Sequence, residues 1–506
     1  MELPRDYNAA VDLIGRNLAA GRAGKVAYID DAGSCTYGQL AERVDRAANM
    51  LHTLGLRREE RIAIAMLDSP DWVAVFLGAI KAGVVPVAMN TLLTPADYEY
   101  QLCDSRAQAL FVSEPFAKIF EPIRGHCPDL KHMVTTGLQL NDLLFKADAQ
   151  AQAARTTRDD MCFWLYSSGS TGAPKGTVHL HSHLIATAEL YAKPVLGIRE
   201  SDVVFSAAKL FFAYGLGNAL TFPMSVGATT VLMAERPTPE AVFKRLVERR
   251  PTIFYGVPTL YAALLASPAF PEKTKLNLRI CTSAGEALPE NLGKRWTERT
   301  GVEILDGIGS TEMLHIFLSN RPDEVRYGTT GKPVPGYEVR LVDDQGNVIE
   351  KPGEMGELQI SGPTSAIMYW NQRERTKTTF QGPWTRSGDK YTFDQDGYYT
   401  YGGRSDDMLK VSGIYVSPVE VEAALITHDA VLEAAVVGKE DEQKLVKPKA
   451  YVVLKQGITG DENLKQALQQ HVKSRLAPHK YPRWIEFMGE LPKTATGKIQ
   501  RFRLRS

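Results

Sequence analysis

The sequence lacks several features that mark particular classes of protein. Its 506 residues carry 59 basic and 59 acidic side chains, so no net charge is available to draw the whole surface to nucleic acid. The most apolar stretch, residues 72–89, is interrupted by Lys81, Gly83 and Pro86 and is too short to span a membrane. The first residues include acidic side chains and lack the apolar core of a signal peptide, so we expect no secretory leader.

Cysteine is scarce as well. The five cysteines are scattered, none forms a C-x-x-C pair, and their odd number comes without metal-ligand spacing. We therefore expect free, mostly buried thiols and a reducing, cytoplasmic location. The five residues are Cys35, Cys103, Cys127, Cys162 and Cys281.

Alternating strand and helix patterns run through the first 330 residues. Short β-branched runs at residues 61–65 and 84–88 enclose a helical period at 71–82, and the alternation resumes from residue 203. Such alternation predicts an α/β protein with doubly wound, parallel sheets. A chain longer than roughly 250–300 residues also predicts two or three domains.

The pattern changes near residue 331, where short strands alternate with turns such as Asp396-Gly397. This texture predicts a β-rich subdomain. A compact segment of mixed helices and strands begins near Asp406. We therefore predict an N-terminal domain over residues 1–405, which includes the β-rich subdomain at 331–405, and a small α+β C-terminal domain over residues 406–506.

The sharpest local feature is a run of small hydroxyl-bearing residues and glycines that follows the apolar residues 162–166. Glycine lets backbone N–H groups turn toward an anion, Ser and Thr add donors, and Lys175 adds positive charge. The spacing is not that of a Walker A loop. By composition alone, a flexible surface loop is an equal alternative to a polyphosphate site. The candidate ATP-binding residues here are Ser167, Ser168, Gly169, Ser170, Thr171, Gly172 and Lys175.

The order of these residues, Ser-Ser-Gly-Ser-Thr-Gly-x-Pro-Lys-Gly, resembles the phosphate loop of the acyl-adenylate-forming superfamily. That superfamily includes acyl-CoA synthetases, peptide-synthetase adenylation domains and luciferases. Its other motifs follow in the same order, so the resemblance spans nearly the whole chain. The resemblance implies a large N-terminal domain and a small mobile C-terminal domain, with Asp406 at the hinge. The further motifs lie at residues 309–312, 385–389, 403–407, 410–413 and 492–498.

The resemblance also implies roles for single residues. Glu312 would supply a carboxylate oxygen to Mg²⁺ between ATP phosphates, and Thr311 would hydrogen-bond the α-phosphate. Lys498 would bridge the substrate carboxylate and the α-phosphate and stabilise the charge that builds up during adenylation. Asp389 would accept hydrogen bonds from the ribose hydroxyls, and Arg404 would pair with ribose or phosphate oxygens. Composition alone would make Asp389 a turn residue and the two cations ordinary exposed side chains.

Two short segments resemble the walls of the superfamily's adenine slot. One of them departs from the pattern, because Ile308 stands where many members have a stacking tyrosine. We therefore expect purine stacking to be weaker here or to be supplied differently. The candidate residues are Gly285, Glu286, Ala287, Asp306, Gly307 and Ile308.

A third set of residues resembles the wall of the carboxylic-acid pocket. Amino-acid-activating relatives have an aspartate for the substrate's ammonium group where this sequence has Ala213, so a neutral, apolar acid is favoured. Tyr214, His315 and Ile316 are bulky and would shorten the cavity, which suits a flat ring better than a long acyl chain. Packing of a core is the alternative interpretation. The candidate residues are Phe212, Ala213, Tyr214, Gly215, Gly309, His315 and Ile316.

Several segments, among them residues 205–220 and 306–320, closely resemble benzoate-CoA ligases and their hydroxybenzoate-activating relatives. This resemblance implies an aryl-CoA ligase that prefers benzoate, works through an aryl-AMP intermediate and uses ATP, Mg²⁺ and coenzyme A. Gly413 would line the pantetheine tunnel, and Arg236 would contact a CoA phosphate. Three alternatives stay open: a hydroxybenzoate- or aminobenzoate-CoA ligase, an aryl-AMP-forming enzyme that serves a carrier protein, and a sensor without turnover.

The expected partners are small molecules, with no nucleic acid and no membrane, while a homo-oligomer stays open. No carrier-protein segment is fused to the sequence, which favours free coenzyme A as the acceptor. His179, His181 and His183 alternate as H-x-H-x-H and would share one face of a strand, which could mimic a metal site. No Cys or carboxylate cluster accompanies them, so this is the weaker interpretation.

Overall fold

The computed structural model describes residues 2–167, 174–411, 414–442, 445–477, 479–493 and 499–505. The chain divides into two compact units. The first contains Met1–Val339 and Ile360–Thr385, and the second contains Arg340–Gln359 and Arg386–Ser506. A division by compactness does not locate a hinge, so the domain boundary expected at residue 406 stays a prediction.

The strands are short and most are buried, as expected for an α/β protein. They are β1 Val26–Ile29, β2 Ser34–Thr36, β3 Arg61–Ala65, β4 Val85–Ala88, β5 Ala107–Val112, β6 His132–Thr135, β7 Met161–Ser167, β8 Lys175–Leu180, β9 Val203–Ser206, β10 Thr229–Val231, β11 Ile253–Gly256, β12 Ile280–Ser283, β13 Ile304–Gly309, β14 Ile316–Ser319, β15 Lys332–Pro333, β16 Glu338–Val342, β17 Val348–Ile349, β18 Gly356–Ser361, β19 Met368–Tyr369, β20 Phe380–Gln381, β21 Trp384–Phe393, β22 Tyr399–Arg404, β23 Leu409–Val411, β24 Ile414–Val416, β25 Val431–Glu440, β26 Val446–Leu454 and β27 Trp484–Met488.

The helices alternate with the strands through the first 300 residues. They are α1 Ala9–Ala19, α2 Tyr37–Thr53, α3 Pro70–Lys81, α4 Pro95–Ser105, α5 Ala117–Arg124, α6 Leu138–Lys146, α7 His181–Thr187, α8 Ala213–Leu216, α9 Phe222–Val226, α10 Pro239–Glu248, α11 Pro258–Ala266, α12 Glu290–Thr300, α13 Arg373–Thr379, α14 Pro418–Ile426 and α15 Glu462–Lys473.

Two largely parallel sheets build the first unit. Within the described residues, one has seven strands in the order β19-β8-β7-β4-β3-β5-β6, and the other has nine in the order β15-β14-β13-β12-β11-β9-β10-β1-β2. Strands β6, β5, β3, β4 and β7 run parallel to one another, whereas β8 runs antiparallel to both of its neighbours, β7 and β19. All four residues of β4 are buried, as is typical of a parallel strand covered on both faces. The predicted doubly wound α/β architecture is confirmed.

The β-rich texture predicted after residue 331 is present as short antiparallel strands. Strands β16 and β17 form a hairpin, and β21 pairs with β22. In the second unit, β25, β26 and β27 form a three-stranded sheet, and α14 and α15 share its apolar core. The sequence pattern predicts a strand at residues 433–437, but β25 is longer because its ladder with β26 continues from Val431 to Glu440.

Side-chain caps explain the helix boundaries that the pattern missed. Hydrophobic spacing predicts a helix over residues 41–54, but α2 begins at Tyr37, because Thr36 and Gln39 form a reciprocal capping box. All five cysteines are free thiols and three of them are buried, as expected from the sequence. In the described part of the chain, no helix combines the length and apolar character needed to cross a membrane.

A buried ion pair joins the amino ends of three parallel strands in the first unit. Asp202, which is 3% exposed, precedes β9 and accepts hydrogen bonds from Arg279 at 2.6 and 2.9 Å. It also accepts one from Thr252 Oγ1 at 2.8 Å and one from the backbone N of Arg199 at 2.9 Å. Burial opposes the charged carboxylate, but the Arg279 and Thr252 hydrogen bonds outweigh it, and the pKa of Asp202 falls below its usual value.

We predict that Asp202→Ala destabilises the protein by about 3 kcal/mol, because it leaves a largely buried guanidinium without its counter-charge. The matched control is Asp142→Ala, which removes an exposed i,i+4 pair with Lys146 and should change stability by less than about 0.5 kcal/mol. Urea unfolding followed by tryptophan fluorescence measures both changes. Equal, small effects of the two substitutions would contradict the structural role of Asp202.

Candidate active site

A tight turn after β13 presents the candidate catalytic pair Thr311 and Glu312. The turn packs closely, since a Cβ on Gly309 would lie 2.5 Å from the carbonyl oxygen of His315. Ser310 Oγ accepts a hydrogen bond from the backbone N of Met313 at 3.1 Å. Gly309 is therefore required for the turn that separates β13 from β14.

Glu312 follows a strand of one sheet of the first unit and contacts three strands of the other. Its Oε1 accepts a hydrogen bond from Tyr369 OH on β19 at 2.7 Å and a longer one from Ser167 Oγ on β7 at 3.4 Å. Lys175 Nζ on β8 lies 3.6 Å from the same oxygen and 3.2 Å from Tyr369 OH. The structure thus brings the predicted residues Ser167, Lys175 and Glu312 together, with a positive and a negative charge side by side.

Thr311 is held through its main chain by a pair of buried histidines. Nε2 of His179 lies 2.8 Å from the carbonyl oxygen of Thr311, and Nδ1 of His179 lies 3.0 Å from Nδ1 of His183. Burial lowers the pKa of His179 to about 4 and that of His183 well below its usual value, so both rings are neutral near pH 7. Because a carbonyl oxygen only accepts, Nε2 of His179 carries the hydrogen.

The candidate acid pocket centres on His315, which is 2% exposed. Its Nε2 lies 3.2 Å from the carbonyl oxygen of Tyr214, and its ring packs against Tyr191, Tyr214 and Phe222 at centroid distances of 5.6, 5.6 and 4.5 Å. Burial lowers the pKa of His315 to about 3, so the ring is uncharged at neutral pH. Gly217 makes room for it, since a Cβ there would lie 2.3 Å from the imidazole.

The other acid-pocket candidates lie on the same elements. Ala213 and Tyr214 open the short helix α8, with Phe212 immediately before it and Gly215 within it. Tyr214 OH shares a 2.5 Å hydrogen bond with Thr282 Oγ1 on β12. Ile316 begins β14 and is buried. The predicted set is therefore brought to the carboxyl ends of β12 and β13.

The candidate adenine-slot residues lie on these two neighbouring parallel strands. Asp306 of β13 pairs in register with Ser283 of β12, and Gly285, Glu286 and Ala287 follow β12 directly. Asp306 is buried, and burial raises its pKa well above its usual value. The remaining two candidates are Gly307 and Ile308, which pair with Ser319 and Leu318 of β14.

The second unit brings two predicted nucleotide ligands into direct contact. Asp389 on β21 lies opposite Arg404 on β22, and Nη1 of Arg404 donates to Asp389 Oδ1 at 3.0 Å and to the carbonyl oxygen of Ser387 at 3.1 Å. Burial works against the charged guanidinium, but the carboxylate of Asp389 outweighs it and raises the pKa of Arg404. Asp406, the predicted hinge, is exposed.

Arg236, the candidate CoA contact of the first unit, is exposed in the segment between β10 and α10. Several other predicted site residues lie outside the described part of the chain, and their roles stay predictions. These residues are Ser168, Gly169, Ser170, Thr171, Gly172, Gly413 and Lys498.

The structure places two further residues at the site, Tyr369 and His179, whose roles the sequence does not predict. Tyr369, which bonds to Glu312, lies in an apolar segment with no local sign of a polar role. The H-x-H-x-H pattern suggests a metal site and gives no sign of the contact between His179 and Thr311. Strand β8 ends at Leu180, so His183 lies on α7 and the three histidines do not share a strand face. In the described residues, no group of three or more His, Cys, Asp or Glu side chains is placed to hold a metal ion.

This arrangement of sheets and motifs is that of an adenylate-forming enzyme, and comparison with known families agrees. The chain belongs to the family of AMP-binding enzymes. The family model described as AMP-binding enzyme matches residues 16–370. The model described as AMP-binding enzyme C-terminal domain matches residues 420–498.

Individual relatives show which named enzymes of this family the chain is similar to. A benzoate–CoA ligase of Thauera aromatica is 65% identical over 511 aligned positions, which cover 100% of this chain and 97% of the relative. The crystal structure of a benzoate CoA ligase from Burkholderia xenovorans LB400 superposes with a TM-score of 0.93 at 57% identity, covering 99% of this chain and 100% of that one. An anthranilate CoA ligase in complex with anthranoyl-AMP gives a TM-score of 0.95 at 47% identity, covering 100% and 98%.

We predict that His179→Leu lowers kcat by roughly tenfold or more, because Thr311 loses the hydrogen bond that fixes its carbonyl group. His179→Gln, whose amide N–H can reach the same oxygen, should restore most of that loss. Steady-state kinetics on folded protein, verified by circular dichroism, measures both. His132→Gln on β6, at the opposite edge of the sheet from β8, is the control and should match wild type. Equal activity of the Leu and Gln variants would contradict a positioning role.

Proposed function

We propose that this chain is an ATP-dependent acid–thiol ligase that joins benzoate to coenzyme A. In the first step, the benzoate carboxylate attacks the α-phosphate of ATP to give benzoyl-AMP and pyrophosphate. In the second step, the thiol of coenzyme A attacks the benzoyl carbonyl and AMP leaves. The relatives named benzoate–CoA ligase, which match the chain over its full length, support this activity.

The observation that carries the substrate assignment is the uncharged aromatic wall beside Thr311 and Glu312. His315 is neutral, and the hydroxyl of Tyr214 is engaged by Thr282, so neither side chain presents a charge to a bound acid. Aromatic rings attract flat aromatic ligands by offset or edge-on packing. Ala213 supplies no counter-charge for an ammonium group, which favours benzoate over an amino acid.

The residues around Glu312 fit a bound Mg²⁺. A carboxylate oxygen and a nearby hydroxyl are hard oxygen donors, and Mg²⁺ in nucleotide sites is held by one or two carboxylates together with substrate phosphates. When bound, the metal would neutralise charge on the ATP phosphates. Glu312 would hold it, with Ser167 next to the carboxylate.

The chain's own residues would then bind and orient the reactants. Lys175 would exchange its contact with Glu312 for the ATP phosphates, and Thr311 would hydrogen-bond the α-phosphate. Holding the carboxylate in line with that phosphorus supplies much of the rate, because the nucleophile is already ionised and needs no general base. Lys498 would stabilise the charge that develops as the bond forms.

The remaining assignments are extensions of the same proposal. Asp389, oriented by Arg404, would accept hydrogen bonds from the ribose hydroxyls. Gly413 and Arg236 would contact coenzyme A, and Asp406 would be the hinge between the two half-reactions. The five free thiols fit a reducing, cytoplasmic location.

We predict that benzoate has the highest kcat/KM in a panel with 4-hydroxybenzoate, 2-aminobenzoate and hexanoate at saturating ATP and CoA. One added ring substituent should cost roughly tenfold or more if this wall contacts the ring of the acid. The assay follows loss of free CoA thiol and formation of AMP. Hexanoate as the best substrate would overturn the pocket assignment. Benzoyl-AMP formation without CoA acylation would instead indicate an enzyme that serves another acceptor.

We predict that Lys498→Ala slows benzoyl-AMP formation by roughly 10²–10³-fold, because the developing charge loses its cation. Thioester formation from supplied benzoyl-AMP should stay near the wild-type rate, since transfer of the adenylyl group to benzoate is already complete. Lys493→Ala is the matched control: it removes a nearby cation that pairs with Glu433 at 2.6 Å, and both half-reactions should be preserved. Equal loss in both half-reactions for Lys498→Ala would show that its role is misassigned.

A further inference from the structure

Two free thiols lie in contact in the first unit, away from the residues that bind substrate. Sγ of Cys103 is 3.3 Å from Sγ of Cys127. Cys103 lies on the last turn of α4, and Cys127 follows α5 in a loop that packs on the same apolar core. An S–S bond is about 2.05 Å long, so the sulfurs need to approach by little more than 1 Å to form one.

A second contact holds the same two segments together. Nδ1 of His126 lies 3.3 Å from Oε2 of Glu99, one turn before Cys103 on α4. The Cys103 thiol also points to the carbonyl oxygen of His126, at 3.5 Å. Both contacts join the helix and the loop that carry the two thiols.

The two thiols differ in accessibility. Cys103 is partly exposed, whereas Cys127 is 4% exposed. Burial and the neighbouring Cys103 sulfur raise the pKa of Cys127 to about 12, so this thiol keeps its proton. A small oxidant therefore meets Cys103 first, with Cys127 in place as the second partner.

Helix α4 also touches both ends of the candidate phosphate loop. Tyr100 OH donates to the carbonyl oxygen of Pro174 at 3.1 Å, and Asp104 accepts a hydrogen bond from Tyr166 OH at 2.6 Å. Trp370, next to the Glu312 partner Tyr369, donates from Nε1 to the carbonyl oxygen of Asp104 at 3.0 Å. A change at Cys103 therefore acts on a helix that supports residues 166 and 174.

We propose that Cys103 and Cys127 form a modification site, at which a peroxide cross-links them and thereby weakens ATP binding at the phosphate loop. Hydrogen peroxide oxidises the Cys103 thiol to a sulfenic acid and is itself reduced to water. The Cys127 sulfur then attacks the sulfenic sulfur while its proton passes to the departing hydroxide, so that a second water leaves as the disulfide forms. A dithiol reductant reverses the modification. The effect on ATP rests on the proposed assignment of the phosphate loop.

The chemical part of the proposal is tested by mass spectrometry on protein treated with hydrogen peroxide. The two cysteines fall in separate tryptic peptides, residues 82–106 and 125–131, which should appear joined without reductant and separate after it. Cys103→Ser and Cys127→Ala should each abolish the joined species. Cys35→Ser, which removes another partly exposed thiol, should leave it intact. Absence of the joined peptides from wild type would overturn the proposal.

The functional part is tested by ATP kinetics on the same samples. Cross-linked wild-type protein should show a KM for ATP raised roughly fivefold, the effect of weakening one hydrogen bond, and reductant should restore the original value. Cys103→Ser and Cys127→Ala should keep their untreated kinetics after peroxide. An unchanged KM in fully cross-linked protein would overturn the link to the phosphate loop. Reduced protein without benzoate-dependent turnover would instead count against the proposed function, because the peptide mapping does not depend on activity.

Discussion

The candidate site depends on the contacts that the carboxylate of Glu312 makes. This carboxylate lies in a turn after β13 of one sheet and contacts Ser167, Lys175 and Tyr369 on three strands of the other. A partly buried carboxylate keeps its charge only where cations and hydrogen-bond donors compensate for lost solvation. These contacts join the two sheets at the candidate site and place the carboxylate beside one cation and two hydroxyl groups.

Much of the fold could be predicted because its signals are local. The sequence pattern predicts strands at residues 61–65 and 203–206, and these are the bounds of β3 and β9. The family could be predicted from the order of the motif residues along the chain, and the family match supports that interpretation. Helix ends were less predictable, because α2 is extended by the capping box at Thr36, a side-chain interaction that hydrophobic periodicity does not reveal.

The contacts that support the site could not be predicted, because they join residues that are distant in sequence. Tyr369 meets Glu312 across 57 positions, and His179 meets Thr311 across 132. Neither residue type signals such a partner by its local pattern. The histidines illustrate the difficulty: their spacing predicted a shared strand face, but β8 ends before His183 and burial leaves the rings neutral. His179 contacts the Thr311 carbonyl group, and His183 contacts His179.

The central claim is that one edge of the first unit holds both the phosphate and the aromatic ring of an acyl adenylate. A crystal structure with benzoyl-AMP bound tests it most directly. The account predicts the benzoyl ring within about 4 Å of Tyr214 and His315. It also predicts a phosphate oxygen within hydrogen-bond distance of Thr311. A benzoyl-AMP molecule bound with its ring away from both aromatic side chains, or with its phosphate away from Thr311, would contradict the account.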